Sequence, residues 1–399
     1  MFASLLKKVF FGGSADPWQS PKWVADQHDL AKEQFHSTIA KLGMPRIAVV
    51  KQDINEDLYC CPSGSKGRTV VESTLLRSGP AALFSECDAT FVMVKTVDDA
   101  ECSVWQERAT KLNWDTLEFF RSYQTRIPGR DYGQGKFSVA VDDVDWSAFD
   151  IVVSIDNSVP QRVTQQFPQV LWAYYVREIK TPEYKQSLER PLPGQDVVLN
   201  HHFRPVPKPS ADHVLDFPYH LHLVGCLPSL LETEIVSDPE RSGVFVDHHT
   251  MIAVTAEQRV ELAQFGPIAS TIHEGSREVI PTSEKLARRT LDPDLRERLF
   301  ASRFFLCSAG HRQVFGTALV EAIAAGELVI GSPQNIVCSF LLSEATSADS
   351  FSEAIAKMQL LSNDEAVYGR EIQRQRQLVD WLCFYRPLQQ LMNRWQQKT

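Results

Sequence analysis

Residues 149–176 read FDIVVSIDNSVPQRVTQQFPQVLWAYYV. Two runs inside this stretch, FDIVVSID (149–156) and QVLWAYYV (169–176), are dominated by Val, Ile, Leu and aromatic residues without regular alternation of polar and apolar positions. A strand with one wet face alternates. A strand buried on both faces does not, and both faces are covered when helices flank a parallel sheet. Each run also ends abruptly in charge, the first at Asp156 and the second at Arg177 and Glu178. RIAVV (46–50), ATFVMV (89–94) and DVVLN (196–200) repeat the pattern in the same half of the chain. SGVFVD (242–247), SRFFLCS (302–308) and ELVIGS (327–332) restart it in the other half. Segments 68–86, 256–266, 283–300, 317–325 and 350–361 read as helices. Alternating strand and helix in both halves predicts an α/β chain of two Rossmann-like, doubly wound parallel-sheet domains.

A chain of 399 residues outgrows a single hydrophobic core, which agrees with two domains. Prolines 191, 193, 205, 207, 209 and 218 cluster where the boundary is expected. The division then runs 1–208, with a helical extension over 1–44, followed by 209–380 and a C-terminal helix over 381–399. That last segment belongs to a long helical run, 366–398, expected to break near Pro387 because proline removes a donor and crowds the preceding turn.

The net charge of −9 disfavours nucleic acid as a partner, since phosphate neutralisation needs a basic surface. Eight scattered cysteines without CxxC spacing read as buried thiols of a cytoplasmic protein. The N-terminal MFASLLKKVFFGGS lacks the continuous apolar stretch of a signal peptide, and no run approaches the ~18–20 apolar residues of a membrane span. Phe2, Leu5, Leu6, Val9 and Phe10 fall on one helical face, expected to pack on the protein's own core, with peripheral membrane contact through residues 2–11 as the alternative.

Ligands of such sheets bind outside the carboxyl ends of the strands, so the residues directly after the apolar runs are the candidates. Asp156 is placed to act as a general base towards an acceptor hydroxyl, or else forms an Asx turn. Glu178 is an acid or base candidate, or the partner of Arg177. His201, His202, Asp247, His248 and His249 also follow strand ends. No metal is expected there, because adjacent residues on a strand point to opposite faces and no His-x3-His or Cys-x2-Cys spacing occurs. One histidine of each pair is expected to reach the acceptor or a phosphate. CPSGSKGRT (61–69) lacks the ending of a P-loop and reads as a loop on the acceptor side.

The most specific stretch is HRQVFGTALVEAIAAGELVIGSPQN (311–335). A turn at Gly316 and Thr317 opens a helix, which offers backbone N–H groups to a diphosphate, with His311 and Arg312 alongside. Glu321, further along among apolar and small neighbours, suits a pair of adjacent hydroxyls, or else only complements the helix dipole. The stretch resembles the donor-site motif of GT-B fold glycosyltransferases, especially the large retaining family that includes glycogen and sucrose synthases. Phe315, Gly316, Glu321, Ala322, Ala324 and Gly326 match it. The resemblance implies two domains facing a cleft, a donor nucleotide whose ribose is held by Glu321, and a segment 381–399 that crosses back to the first domain. It implies sugar transfer to a saccharide or lipid-linked acceptor, with a nucleotide-sugar co-substrate, no resident cofactor and no metal. Bacterial surface polysaccharide, lipopolysaccharide or glycolipid synthesis is the implied setting. Gln313 stands where the family carries a glutamate that contacts the donor sugar. An uncharged group there also suits a CMP-linked acid sugar, and a non-catalytic binding protein is the alternative from a different class.

Overall fold

In the computed structural model, which describes residues 18, 20–52, 59–63, 68–72, 83, 87, 89–94, 141–155, 158–176, 182–200, 211–217, 241–246, 248–270, 298–307, 319–333 and 340–399, each apolar run of the sequence forms a strand. Helix α1 (Pro21–Leu42) leads into β1 (Ile47–Gln52), an antiparallel hairpin of β2 (Tyr59–Ser63) and β3 (Arg68–Glu72), and then β4 (Thr90–Val94). β5 (Ile151–Ile155), α2 (Gln161–Thr164), β6 (Leu171–Val176), α3 (Pro182–Glu189), β7 (Val197–Asn200) and β8 (Val214–Asp216) complete the first half.

These strands, apart from the hairpin, form one parallel sheet of order β4-β1-β5-β6-β7-β8. β5 and β7 are buried along their whole length, which is what their lack of alternation predicts. From β1 the chain moves to β4 on one side, then returns past β1 to β5 on the other. The boundary between β1 and β5 is therefore the topological switch point, the place at the carboxyl ends where sheets of this kind receive ligands. The segment expected to be a helix over 68–86 begins instead as β3. Thr69, Val70 and Val71 explain this, because β-branched side chains are stiff at χ1 and favour extended backbone.

The second half holds β9 (Val244–Val246), α4 (His248–Ala253), α5 (Ala256–Ala263), β10 (Ile268–Ser270), β11 (Phe304–Cys307), α6 (Leu319–Ala325) and β12 (Leu328–Gly331). Its sheet is parallel, in the order β10-β9-β11-β12, and repeats the logic of the first. The chain steps from β9 to β10 on one side and to β11 on the other, so the switch point lies between β9 and β11. α7 (Phe351–Asn363), α8 (Glu365–Asp380) and α9 (Arg386–Lys398) follow.

Leu262, Met358, Leu361 and Ile372 from α5, α7 and α8 bury one face of this sheet against Val244, Val246, Phe304, Leu306, Leu328 and Ile330. From the alternate positions Phe245 and Phe305 stack with ring centroids 5.9 Å apart. The outer edge of β12 is closed by other groups. The Gln375 amide accepts from Val329 N–H at 2.9 Å and donates to Val329 C=O at 3.0 Å. Gly331 bonds to Thr346 and Ala348. An edge strand whose backbone groups are all engaged offers no template for another chain.

The chain divides into two compact units. One comprises Lys32–Tyr219, Ile280–Leu291 and Cys383–Thr399; the other comprises Met1–Ala31, His220–Val279 and Asp292–Leu382. The first sheet thus takes in β8, beyond the 208/209 boundary expected from the prolines. The expected extension 1–44 is shared between the units, and its contacts show why. Trp18 and Trp23 lie 5.5 and 5.6 Å from Trp381, and Trp18 C=O accepts from the buried Arg374 at 2.9 Å. Phe35, later on α1, lies 6.1 Å from Tyr385, and Gln34 bonds Gln389. α9 packs on β6 and β8, where Arg386 donates to Asp216 at 2.8 Å. The break expected near Pro387 is a π-helical turn, Trp381–Tyr385. Pro387 sits in the first turn of α9, where its missing N–H costs nothing. Cys87, Cys307 and Cys383 are buried thiols. Among the described residues no helix is long and apolar enough to cross a membrane.

Candidate functional site

The register of the first sheet sets its carboxyl edge. Lys51 is level with Ile155, Ile155 with Tyr175 and Tyr175 with Leu199. The segments that begin at 53, 156, 177 and 201 are therefore rooted along one edge. Asp156 follows β5 directly, at the switch point, while Glu178 comes after β6 and His201 and His202 after β7. All four lie outside the described residues.

The opposite edge is closed by side chains. Asp150, just before β5, accepts from Arg46 N–H at 2.8 Å and from Arg46 Nη2 at 2.8 Å and Nε at 3.1 Å. The Arg46 guanidinium, hydrogen-bonded to this carboxylate, holds its pKa below the ordinary value. Asp196, just before β7, accepts from Trp172 N–H at 2.8 Å and pairs with Lys398. Polar side chains thus stitch the amino ends together, and the long connections that carry the candidates leave from the carboxyl ends.

The second sheet has the same polarity. Val246 is level with Ser270 and Leu306, and Leu306 with Ile330, so the segments after β9, β10, β11 and β12 share one edge. Asp247 and the 308–318 segment, with His311, Arg312, Gln313, Gly316 and Thr317, are rooted at the β9/β11 switch point and lie outside the described residues. His248 and His249 open helix α4 rather than a strand end, so they are separated by a helical step and not by opposite strand faces. Glu321 is the third residue of α6, the crossover between the adjacent strands β11 and β12. The side chains of His248 and Glu321 are outside the description. Among the described residues no three His, Cys, Asp or Glu side chains group closely enough to hold a metal ion.

α6 itself is well defined. Ala322, Ala324 and Ala325 are buried, so the helix lies close to its neighbours, and it packs on β12 and α8. Its end is a Schellman turn: Gly326 takes φ 95° and donates to Ile323 C=O at 3.1 Å, while Glu327 N–H donates to Ala322 C=O at 2.8 Å. A Cβ at that φ is strained, which is why glycine ends the helix.

Sequence reading missed a second set of polar groups, at the amino edge of this sheet. Arg241 Nη2 donates to Ala325 C=O at 2.5 Å. Glu327 is 1% exposed, and burial drives its carboxyl pKa well above the ordinary value although Arg241 pulls the other way. Arg303 Nη2 donates to Glu365 at 2.5 Å, and its backbone C=O accepts from Tyr368 Oη at 2.9 Å. The only sequence signal was a carboxylate set flush against the apolar run in AAGELVIG (324–331).

No family model matches the chain, and no curated protein matches it. Among solved structures it is similar to a glycosyltransferase from Rickettsia africae ESF-5, with 9% identity over 88% of this chain and 98% of that one and a TM-score of 0.48. It is also similar to T4 phage BGT in complex with UDP and Mn2+, with 9% identity, coverage of 88% and 97% and a TM-score of 0.38. A BGT mutant in complex with UDP-glucose gives 10% identity, the same coverage and a TM-score of 0.38.

Proposed function

We propose that the chain is a glycosyltransferase that moves a sugar from a nucleotide-sugar donor to a saccharide or lipid-linked saccharide acceptor. The observation that supports this reading is the place in the sheet of α6, the helix of the 311–331 motif. This helix is the crossover between adjacent parallel strands, entered from the end of β11 at the β9/β11 switch point, where sheets of this kind receive ligands.

In this reading Gly316 and Thr317 bring backbone N–H groups to the donor diphosphate, with Arg312 and His311 supplying positive charge. Glu321 accepts hydrogen bonds from the ribose hydroxyls, and Gln313 meets the transferred sugar. Asp156 takes the proton of the acceptor hydroxyl as that oxygen bonds to the anomeric carbon. The bond from that carbon to the diphosphate breaks, and its electron pair leaves with the nucleotide. Glu178 serves as an acid or base, His201, His202 and Asp247 serve the acceptor, and His248 acts at the reacting centre, reaching the acceptor or the departing phosphate. The nucleotide sugar is a co-substrate, and no resident cofactor enters. Bacterial surface polysaccharide or glycolipid assembly suits such an acceptor, with residues 2–11 as a membrane-contacting face.

The test is thermal stabilisation by UDP, GDP, ADP, TDP and CMP, since a ligand that binds only the native state raises the melting temperature with its concentration. A shift by one base, lost in Glu321→Ala, supports the donor site. Silence across all five nucleotides overturns it. Gln313 favours one second reading, a CMP-linked acid sugar, which a shift confined to CMP would select. Release of free sugar from the matching donor separates an enzyme from a binding protein, and repeating that assay with EDTA and with Mn2+ decides the metal requirement.

A further inference from the structure

Arg241 stands three residues before β9, at the amino edge of the second sheet, and its Nη2 donates to Ala325 C=O at 2.5 Å. Ala325 is the last residue of α6, and the Schellman turn that follows engages the Ala322 and Ile323 carbonyls without reaching this one. The guanidinium supplies the missing donor. Its Nη1 is buried and has no hydrogen-bond partner among the described residues, and the same holds for both carboxyl oxygens of Glu327, two residues after Ala325, which feel the Arg241 charge without a hydrogen bond to it. Apolar side chains would fill this position without burying polar atoms. Sequences break local rules of this kind chiefly where function requires it.

We propose that Arg241 is a positioning residue for the donor site: it pins the end of α6 to the entry of β9 and so fixes the helix that carries Glu321. This rests on Glu321 as the donor-binding carboxylate. Glu321 precedes Ala325 by four residues, about one turn, so a helix end that shifts or frays moves the Glu321 backbone directly. Arg241 stays well away from the carboxyl edge where the donor would lie. It acts through the helix.

The experiment uses Arg241→Met and Arg241→Lys in the full chain. Amide exchange is followed over residues 319–327, and affinities for UDP, GDP, ADP, TDP and CMP are titrated. In Arg241→Met, exchange over 319–327 should quicken about tenfold and the affinity for the nucleotide that binds wild type should fall about tenfold. Donor KM should rise in step while kcat stays within about twofold, with Arg241→Lys intermediate. A loss of stability that left KM unchanged in the folded protein would reduce Arg241 to a structural residue and overturn the proposal. So would unchanged exchange over 319–327 in either variant. If Arg241→Met does not fold, Arg241→Lys decides by the same two readouts. A wild-type protein that binds none of the five nucleotides overturns the donor reading and with it the role for Glu321. Faster exchange in the variants of that protein would still support the clamp on α6.

Discussion

At His28 one ring meets two carboxylates: Nε2 lies 2.7 Å from Asp380 and Nδ1 lies 2.9 Å from Asp29. Burial lowers the imidazole pKa, but the bonds to Asp380 and Asp29 outweigh it and leave the pKa raised above 6.5. A group that binds its proton more tightly in the fold stabilises it fully below the unfolded pKa and loses that stabilisation as pH rises through the folded one. The advantage of wild type over His28→Gln should therefore be complete below pH 6.5 and shrink above it, as read from urea midpoints. A difference that stays flat with pH would show that folding leaves the imidazole pKa unchanged, and one that grows as pH rises through 6.5 would show that the ring is held neutral. Glu327 titrates in the same sense, because its buried carboxyl is also protonated more readily in the fold than in the unfolded chain. Glu327→Gln cannot titrate. It should match wild type in acid and become the more stable of the two as pH climbs above 4.5, a trend that thermal melts at fixed ionic strength would expose.

Elements show most clearly what could be read in advance. The long strands were legible because burial on both faces leaves an uninterrupted apolar run, as in IVVSI (151–155) and LWAYYV (171–176). β8 and β10 were not, since VLD and IAS are three residues each and carry a polar residue, whereas the equally short β9 is wholly apolar, VFV. The stretch QRQRQLVD (373–380) is polar in sequence and part of the expected helical run, yet it holds Arg374 and Gln375, both fully buried. Burial of this kind is a tertiary fact: Arg374 is satisfied by Glu371, Leu341 C=O and Trp18 C=O, and Gln375 by the edge of β12. Gln375→Leu should therefore cost far more than a surface substitution. It strands the Val329 N–H and C=O in the interior at roughly 1–3 kcal/mol each, so a loss of about 2–6 kcal/mol is expected from denaturant unfolding. A loss below about 0.5 kcal/mol, typical of surface positions, would mean that the edge of β12 finds other partners.

Across the whole molecule, the two sheets share one construction: a first strand flanked by its second and third, with later strands added beyond the third. That repetition was implicit in the restart of apolar runs after residue 241, but the strand order was not, because neighbours in a parallel sheet are chosen by crossovers and leave no mark on the runs themselves. The same limit applies to the site. Sequence could rank Asp156, Asp247, His248 and Glu321 by their places after strands or on a crossover, while the switch points that single out β5, β9 and β11 emerged only with the strand order. Two compact units also need not unfold in a single step. If the donor nucleotide is held by the motif around α6, its binding energy belongs to the unit containing β9–β12. At a nucleotide concentration about 100 times its dissociation constant, opening of that unit should become about 2.7 kcal/mol more costly. Native-state amide exchange would then slow in β9, β11 and β12, while β1, β5, β6 and β7 keep their rates. Glu321→Ala should return the second set to its ligand-free rates at the same nucleotide concentration. Equal slowing of both sheets would place the nucleotide outside the motif, and slowing confined to β1 and β5 would move the donor site to the Asp156 edge.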